Sequence, residues 1–84
     1  MNIYVGNLDF KVNENDLKEI FEEYGTVSTS NIIIDKYSGK SKGFGFVTME
    51  DQAEASKAIK ELNGATLESR EMVVNEAKPK KSNY

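Results

Sequence analysis

The segment Lys42 to Met49, KGFGFVTM, alternates two phenylalanines with two glycines behind a lysine. Successive side chains point to opposite faces of a β-strand, so Lys42, Phe44 and Phe46 would share one face. Tyr4 lies within NIYVGNL, a segment that also has the alternation typical of a strand. Aromatic rings stack on nucleobases, and an ammonium group binds phosphate, so these residue types are suited to holding a single-stranded nucleic acid.

Positioning these side chains requires a sheet with one open face, and the order of elements predicts such a sheet. Strands are expected over residues 2–8, 27–34, 43–49 and 71–77. A first helix is expected between an Asn13 cap and Gly25, and a second between Glu50 or Asp51 and Asn63-Gly64. This order predicts an α+β fold, the ferredoxin-like βαββαβ sandwich, with two helices on one face of a four-stranded antiparallel sheet.

The alternation also assigns side chains to the two faces of that sheet. The apolar positions of the first and third strands are expected beneath the helices, together with the glycines, where a helix could approach the backbone closely. The aromatic side chains are then expected together on the open face. The predicted buried set is Ile3, Val5, Gly43, Gly45, Val47 and Met49, and the predicted open set is Tyr4, Lys42, Phe44, Phe46 and Thr48.

Net charge is −3, which by itself argues mildly against a nucleic-acid partner. The distribution of charge changes that interpretation. Residues 36–49 and 78–84 each contain three lysines and no acidic residue, whereas the acidic residues fall elsewhere, largely in the predicted helices. A basic rim beside the open face is therefore expected.

Several classes of chemistry are excluded by composition. The chain has no cysteine and no histidine, which removes disulfides, thiolate metal sites and the commonest general base. Neither a cofactor nor a metal is expected. No leader segment is visible and the longest aliphatic run is Ile32 to Ile34, so we expect no membrane association and a cytoplasmic protein, complete or nearly so at its N-terminus. The length predicts one domain over residues 1–78, followed by a short basic tail over 79–84.

Two segments carry a resemblance to a known family. KGFGFVTM resembles the octamer of the RNA recognition motif family, whose pattern is K/R-G-F/Y-G/A-F-V-x-F/Y, and IYVGNL resembles the companion hexamer on the first strand. The resemblance covers residues 2–78 and departs from the pattern at Met49, which is expected to face the core. The compact chain resembles the stand-alone, single-domain members of bacteria and organelles more than multi-domain splicing factors.

The resemblance implies non-catalytic binding of single-stranded RNA, with single-stranded DNA bound more weakly, by a monomer that regulates or chaperones RNA. Stacking is implied for Tyr4, Phe44 and Phe46, and the family's basic position falls on Lys42, which can reach a phosphate or a base edge. Lys40 and Lys78, from the two basic segments, are expected near phosphates. Asn75, in VNEAKP, is expected to contact a base. Asn31 and Ile33 belong to the open face of the second strand and either contact RNA or only cover the sheet. Asn7 either reads a base or caps a turn.

Two alternatives use the same fold. In the first, the domain is a protein-interaction module that binds peptides through the sheet or through its acidic helices. In the second, it is an enzyme similar to acylphosphatases, which would require a phosphate-binding loop with an arginine after the first strand. GNLDFKVN contains no arginine, and the only arginine of the chain is Arg70. Salt dependence separates RNA binding from the first alternative.

Overall fold

The computed structural model describes residues 1–77. The elements follow the predicted order, with one additional hairpin before the last strand. They are β1 Asn2–Gly6, α1 Glu14–Glu22, β2 Val27–Ile34, β3 Ser41–Met49, α2 Gln52–Leu62, β4 Thr66–Leu67, β5 Arg70–Glu71 and β6 Val73–Glu76. The predicted tail, residues 79–84, lies outside the described residues, as does Lys78.

The main sheet has the strand order β2-β3-β1-β6, and all its neighbouring pairs are antiparallel. Ile3, Val5 and Val47 are fully buried on one face, in one cluster with Leu17 and Phe21 of α1 and residues of α2. The helices therefore cover one face of the sheet and leave the other open. This confirms the ferredoxin-like βαββαβ prediction.

The first helix begins at the predicted cap, and the second begins at one of the two residues that the sequence left open, Asp51. Asn13 and Asp16 form a capping box at the start of α1, in which each side chain accepts a hydrogen bond from the other's backbone N–H. Asp51 caps α2 by accepting from the backbone N–H of Glu54. The first helix ends at Glu22, before Gly25.

The reason predicted for the glycines of β3, the close approach of a helix, is wrong. A Cβ at Gly45 would collide with the backbone carbonyl oxygen of Asn31, on the neighbouring strand, and not with a helix. At Gly43 the nearest atom would be the carbonyl oxygen of Leu8, at 3.3 Å. The glycines therefore allow close approach of neighbouring backbone segments within the sheet.

Gly43 also lies in a bulge. Between the pairs Ile32–Gly45 and Ile34–Ser41, β2 contributes one residue and β3 contributes three. Gly43 has a φ of +87° there, a conformation that costs glycine little and other residues more. The bulge brings the Gly43 carbonyl within 2.8 Å of the Leu8 N–H, which ties β3 to the loop after β1.

The hairpin of β4 and β5 is absent from the predicted elements, because residues 65–70 were expected to be loop and residues 71–77 to be one strand, whereas Glu71 belongs to β5 and the last strand begins at Val73. Its two strands pair Thr66 with Glu71 and Leu67 with Arg70, and it turns through Glu68, whose φ is +60°. It joins α2 to β6 and carries Arg70 to the edge of the sheet. Neither α1 nor α2, the helices of residues 1–77, has the length and apolar character needed to cross a membrane.

Candidate nucleic-acid interface

Three aromatic rings lie side by side on the open face of the sheet. The ring centroids of Tyr4 and Phe44 are 6.0 Å apart, those of Tyr4 and Phe46 are 5.9 Å apart, and those of Phe44 and Phe46 are 6.3 Å apart. We call these three residues the aromatic platform. The rings are not coplanar, because the interplanar angles are 34°, 65° and 89° respectively. Each ring thus offers its own surface to a planar ligand.

Polar amides flank the platform along one row across the sheet. Strand pairing sets Asn31 opposite Phe46, Phe46 opposite Tyr4, and Tyr4 opposite Asn75. Side chains opposite each other in neighbouring strands have Cβ atoms about 4.5–5.5 Å apart. Both asparagines are exposed, whereas Ile33 is half-buried. A base on either ring would therefore have an amide that can donate and accept hydrogen bonds beside it.

Basic side chains lie at one end of the platform, around two clefts. The smaller cleft, of about 260 Å³, is lined by Tyr4, Asn7, Leu8, Phe10, Lys42, Gly43, Phe44 and Arg70. The larger cleft, of about 660 Å³, is lined by residues of the β1–α1 loop, the start of α1, the end of β2 and the segment Gly39 to Ser41. Lys42 thus shares a cleft with two platform rings, and Lys40 lines the larger cleft.

Asn7 has a structural partner that the sequence does not reveal. Its Nδ2 donates a hydrogen bond of 2.7 Å to the carbonyl oxygen of Glu71, and its Oδ1 accepts one of 3.1 Å from Nη2 of Arg70. Its backbone, with a φ of +56°, is left-handed, a conformation that asparagine tolerates better than most residues. The Asn7 amide therefore fastens the β4–β5 hairpin to the end of β1.

Arg70 is the interface residue that sequence reasoning missed. It was considered only as the single arginine of the chain, because nothing predicted the hairpin that carries it. Its bond to Asn7 holds the guanidinium in the smaller cleft beside Tyr4 and Phe44. A guanidinium retains further N–H donors after one hydrogen bond and binds phosphate in a bidentate manner. Residues 1–77 contain no group of three or more side chains arranged to hold a metal ion.

The match to a family model agrees with this geometry. The model described as the RNA recognition motif matches residues 3–73. The chain belongs to the RNA recognition motif family. The match includes both aromatic segments and the complete hairpin of β4 and β5.

Curated relatives of different sizes share the domain. The chain is 45% identical over 82 residues to "Putative RNA-binding protein RbpA" of Synechocystis, covering 98% of this chain and 81% of that protein. It is 43% identical over 84 residues to the chloroplastic 28 kDa ribonucleoprotein of Nicotiana sylvestris, covering 98% of this chain but only 30% of that protein. The sequence is thus similar both to a short RNA-binding protein and to one part of a longer one.

Solved structures of the family superimpose closely on this one. The crystal structure of RNA Binding Protein PG1 gives a TM-score of 0.92 at 44% identity, covering 98% of this chain and 99% of that chain. A Sex-lethal protein in complex with RNA gives a TM-score of 0.89 at 30% identity, covering 96% of this chain and 48% of that chain. Close similarity thus extends to a member of the family whose structure contains RNA.

Proposed function

We propose that this RNA recognition motif domain binds single-stranded RNA without catalysis, by stacking bases on Tyr4, Phe44 and Phe46. The observation that carries the proposal is that three neighbouring rings lie together on the face that no helix covers, with Phe46 exposed and Tyr4 and Phe44 half-buried. Rings used only for packing would be expected in the core cluster, which contains Phe21 and none of the platform rings. Similarity to RNA-binding proteins, including one solved with RNA, supports RNA as the ligand.

The geometry supports a short binding site. Family sheets stack two or three bases on their aromatic residues. Each base–aromatic stack contributes about 1–3 kcal/mol, so the platform would account for a modest affinity by itself. Asn31 and Asn75, at the two ends of the row through Phe46 and Tyr4, are placed to contact base edges. Contacts to base edges distinguish sequences, whereas stacking accepts every base.

Lys42 and Arg70 are suited to phosphate binding next to the stacked bases, because both line the smaller cleft with Tyr4 and Phe44. Lys40 extends the basic surface into the larger cleft. Ile33 would add apolar contact from β2. We also propose a phosphate contact for Lys78, on the basis of the sequence alone. The net charge of −3 is compatible with this arrangement because binding depends on local charge at the interface.

Preference over single-stranded DNA, a monomeric state, a cytoplasmic location and a role in RNA regulation or chaperoning remain proposals. The relatives do not favour the protein-interaction alternative, since two of them are named as an RNA-binding protein and a ribonucleoprotein. Family membership indicates a non-catalytic binding domain, which supports binding over the acylphosphatase alternative.

The test is a direct titration of the full chain against fluorescently labelled, random-sequence RNA of about eight nucleotides, followed by anisotropy. A duplex RNA of the same composition is the matched control. Binding of the single strand, weaker binding of the duplex and steep weakening with rising salt would support the proposal. Equal binding of both forms would contradict it, because paired bases cannot lie on the rings. Selection of bound sequences from the same pool would then define the base preference.

A further inference from the structure

Phe10 lies outside the aromatic platform and is exposed to an unusual degree. It is 65% exposed, whereas Phe46, the most exposed platform phenylalanine, is 36% exposed. A single exposed apolar side chain is normal, whereas an exposed apolar patch that is contiguous with a binding surface indicates part of an interaction site. Within residues 1–77, Tyr37 is the only large hydrophobic side chain that is more exposed than Phe10, and Tyr37 lines neither cleft.

The loop that carries Phe10 is held in place on both sides. Leu8 and Val12 are buried in the core, at 2% and 3% exposure. Between them, the carbonyl oxygen of Asp9 accepts from the Val12 N–H at 3.0 Å, and Oδ1 of Asp9 accepts from the Lys11 N–H at 2.9 Å. The exposed ring is therefore presented by a hydrogen-bonded turn whose neighbouring apolar residues anchor it.

The ring is continuous with the platform. Phe10 lines the smaller cleft together with Tyr4 and Phe44, and its Cε1 would lie 3.8 Å from a Cβ at Gly43. Phe10 also lines the larger cleft, with Ile34, which is 50% exposed. It is thus common to both clefts and marks the route from the sheet face to the space between the β1–α1 loop and the β2–β3 hairpin.

The charge of the larger cleft suits a nucleic-acid backbone. Lys11 and Lys40 line it, together with the carboxylate of Glu14. Oε2 of Glu14 accepts from the backbone N–H of Ile32 at 3.3 Å, and so it is engaged at the edge of β2. Two ammonium groups beside an exposed aromatic ring form the combination that binds single strands elsewhere.

We propose that Phe10 forms an additional stacking subsite, which takes the next base of an RNA strand that leaves the platform, while Lys11 and Lys40 bind its phosphates. This inference rests on the proposed function and adds one bound base to the two or three that stack on the platform. Strands long enough to reach Phe10 gain affinity from it, whereas strands that only fill the platform do not.

The experiment compares Phe10→Ala with the unmodified chain in NMR titrations with random-sequence RNA of three nucleotides and of about eight nucleotides. Loss of one base stack weakens binding of the longer RNA about five-fold or more, and changes binding of the trinucleotides less than about two-fold. Phe10→Tyr restores the affinity. Tyr37→Ala, which removes an exposed ring outside both clefts, is the matched control and leaves both affinities unchanged.

The other outcomes separate the two proposals. Equal affinities of Phe10→Ala and the unmodified chain for both RNAs would overturn the subsite, as would an equal loss with both, since Phe10 would then act by supporting the platform. If the unmodified chain bound neither RNA, the proposed function itself would fail.

Discussion

Arg70 donates a hydrogen bond of 3.1 Å to the side chain of Asn7, although 63 residues separate them in the chain. The contact joins the loop after β1 to the β4–β5 hairpin and leaves the guanidinium in the cleft beside Tyr4. We propose that Asn7 positions Arg70 and does not read a base itself. This relationship makes the energetic contributions of the two residues interdependent.

We expect Asn7→Gly to weaken RNA binding several-fold, because it removes the amide while permitting the left-handed backbone. A hydrogen bond to a charged group contributes about 1.5–3 kcal/mol, part of which would appear as lost positioning of Arg70. Arg70→Ala should weaken binding by a similar or larger factor, and the double variant no further than Arg70→Ala alone. Anisotropy titrations of the four proteins form the double-mutant cycle. Independent, additive losses would show that Asn7 does not act through Arg70.

The double substitution of Phe44→Ala and Phe46→Ala should abolish detectable RNA binding and leave the fold intact. Each base stack contributes about 1–3 kcal/mol, so losing two of them would remove most of the binding free energy of a domain with a short site. The rings lie outside the core cluster, so thermal unfolding should remain cooperative. Substitution of both residues by tyrosine is the matched control, since it keeps two stacking surfaces. Retained affinity in the alanine variant would contradict the platform as the binding surface.

Long elements with regular patterns could be predicted from the sequence. The alternation in β1 and β3 assigned Tyr4, Phe44 and Phe46 to one face, and β2 was expected over the residues where it occurs, Val27–Ile34. The predicted cap Asn13 starts α1, and of the two caps predicted for α2, Glu50 and Asp51, it is Asp51 whose side chain accepts from the first turn of its helix.

The features that escaped prediction depend on contacts distant in sequence or on very short elements. Strands of two residues, such as β4 and β5, have no periodicity, and the turn between them uses Glu68 in a left-handed conformation in place of a typical turn residue. The position of Arg70 escaped prediction as well, because this residue lies in that hairpin. The bulge at Gly43 could not be predicted either, because a bulge is defined by the register of β3 against β2 and not by the sequence of β3 alone.

Gly45→Ala should lower both stability and RNA affinity. A Cβ there would collide with the Asn31 carbonyl oxygen, and relieving that contact requires β2 and β3 to shift. Overpacking of this kind costs typically about 1–3 kcal/mol, and the shift would move the adjacent rings Phe44 and Phe46. Chemical denaturation and RNA titration measure the two effects.

The control for that variant is Gly64→Ala. Gly64 has a φ of +88° with no atom within 4 Å of an added Cβ, so alanine there costs about 1–2 kcal/mol of backbone strain without displacing the sheet. We expect Gly64→Ala to lower the stability about as much as Gly45→Ala does, but to leave the RNA affinity unchanged. If Gly45→Ala also left the affinity unchanged, the close contact between β2 and β3 would not determine the arrangement of the platform.

Lys42→Gln should reduce the salt dependence of RNA binding. For single-stranded nucleic acids, each phosphate neutralised contributes about −0.7 to the slope of log affinity against log salt concentration. The five phosphate contacts proposed above therefore predict a slope of about −3.5; they are those of Lys11, Lys40, Lys42, Arg70 and Lys78. Removal of one ammonium group should make that slope shallower by about 0.7. Lys60→Gln is the matched control, because this lysine is in the last turn of α2, on the layer that covers the opposite face of the sheet. A slope that changes equally in both variants would mean that the RNA responds to the net charge of the domain and not to a phosphate contact at Lys42.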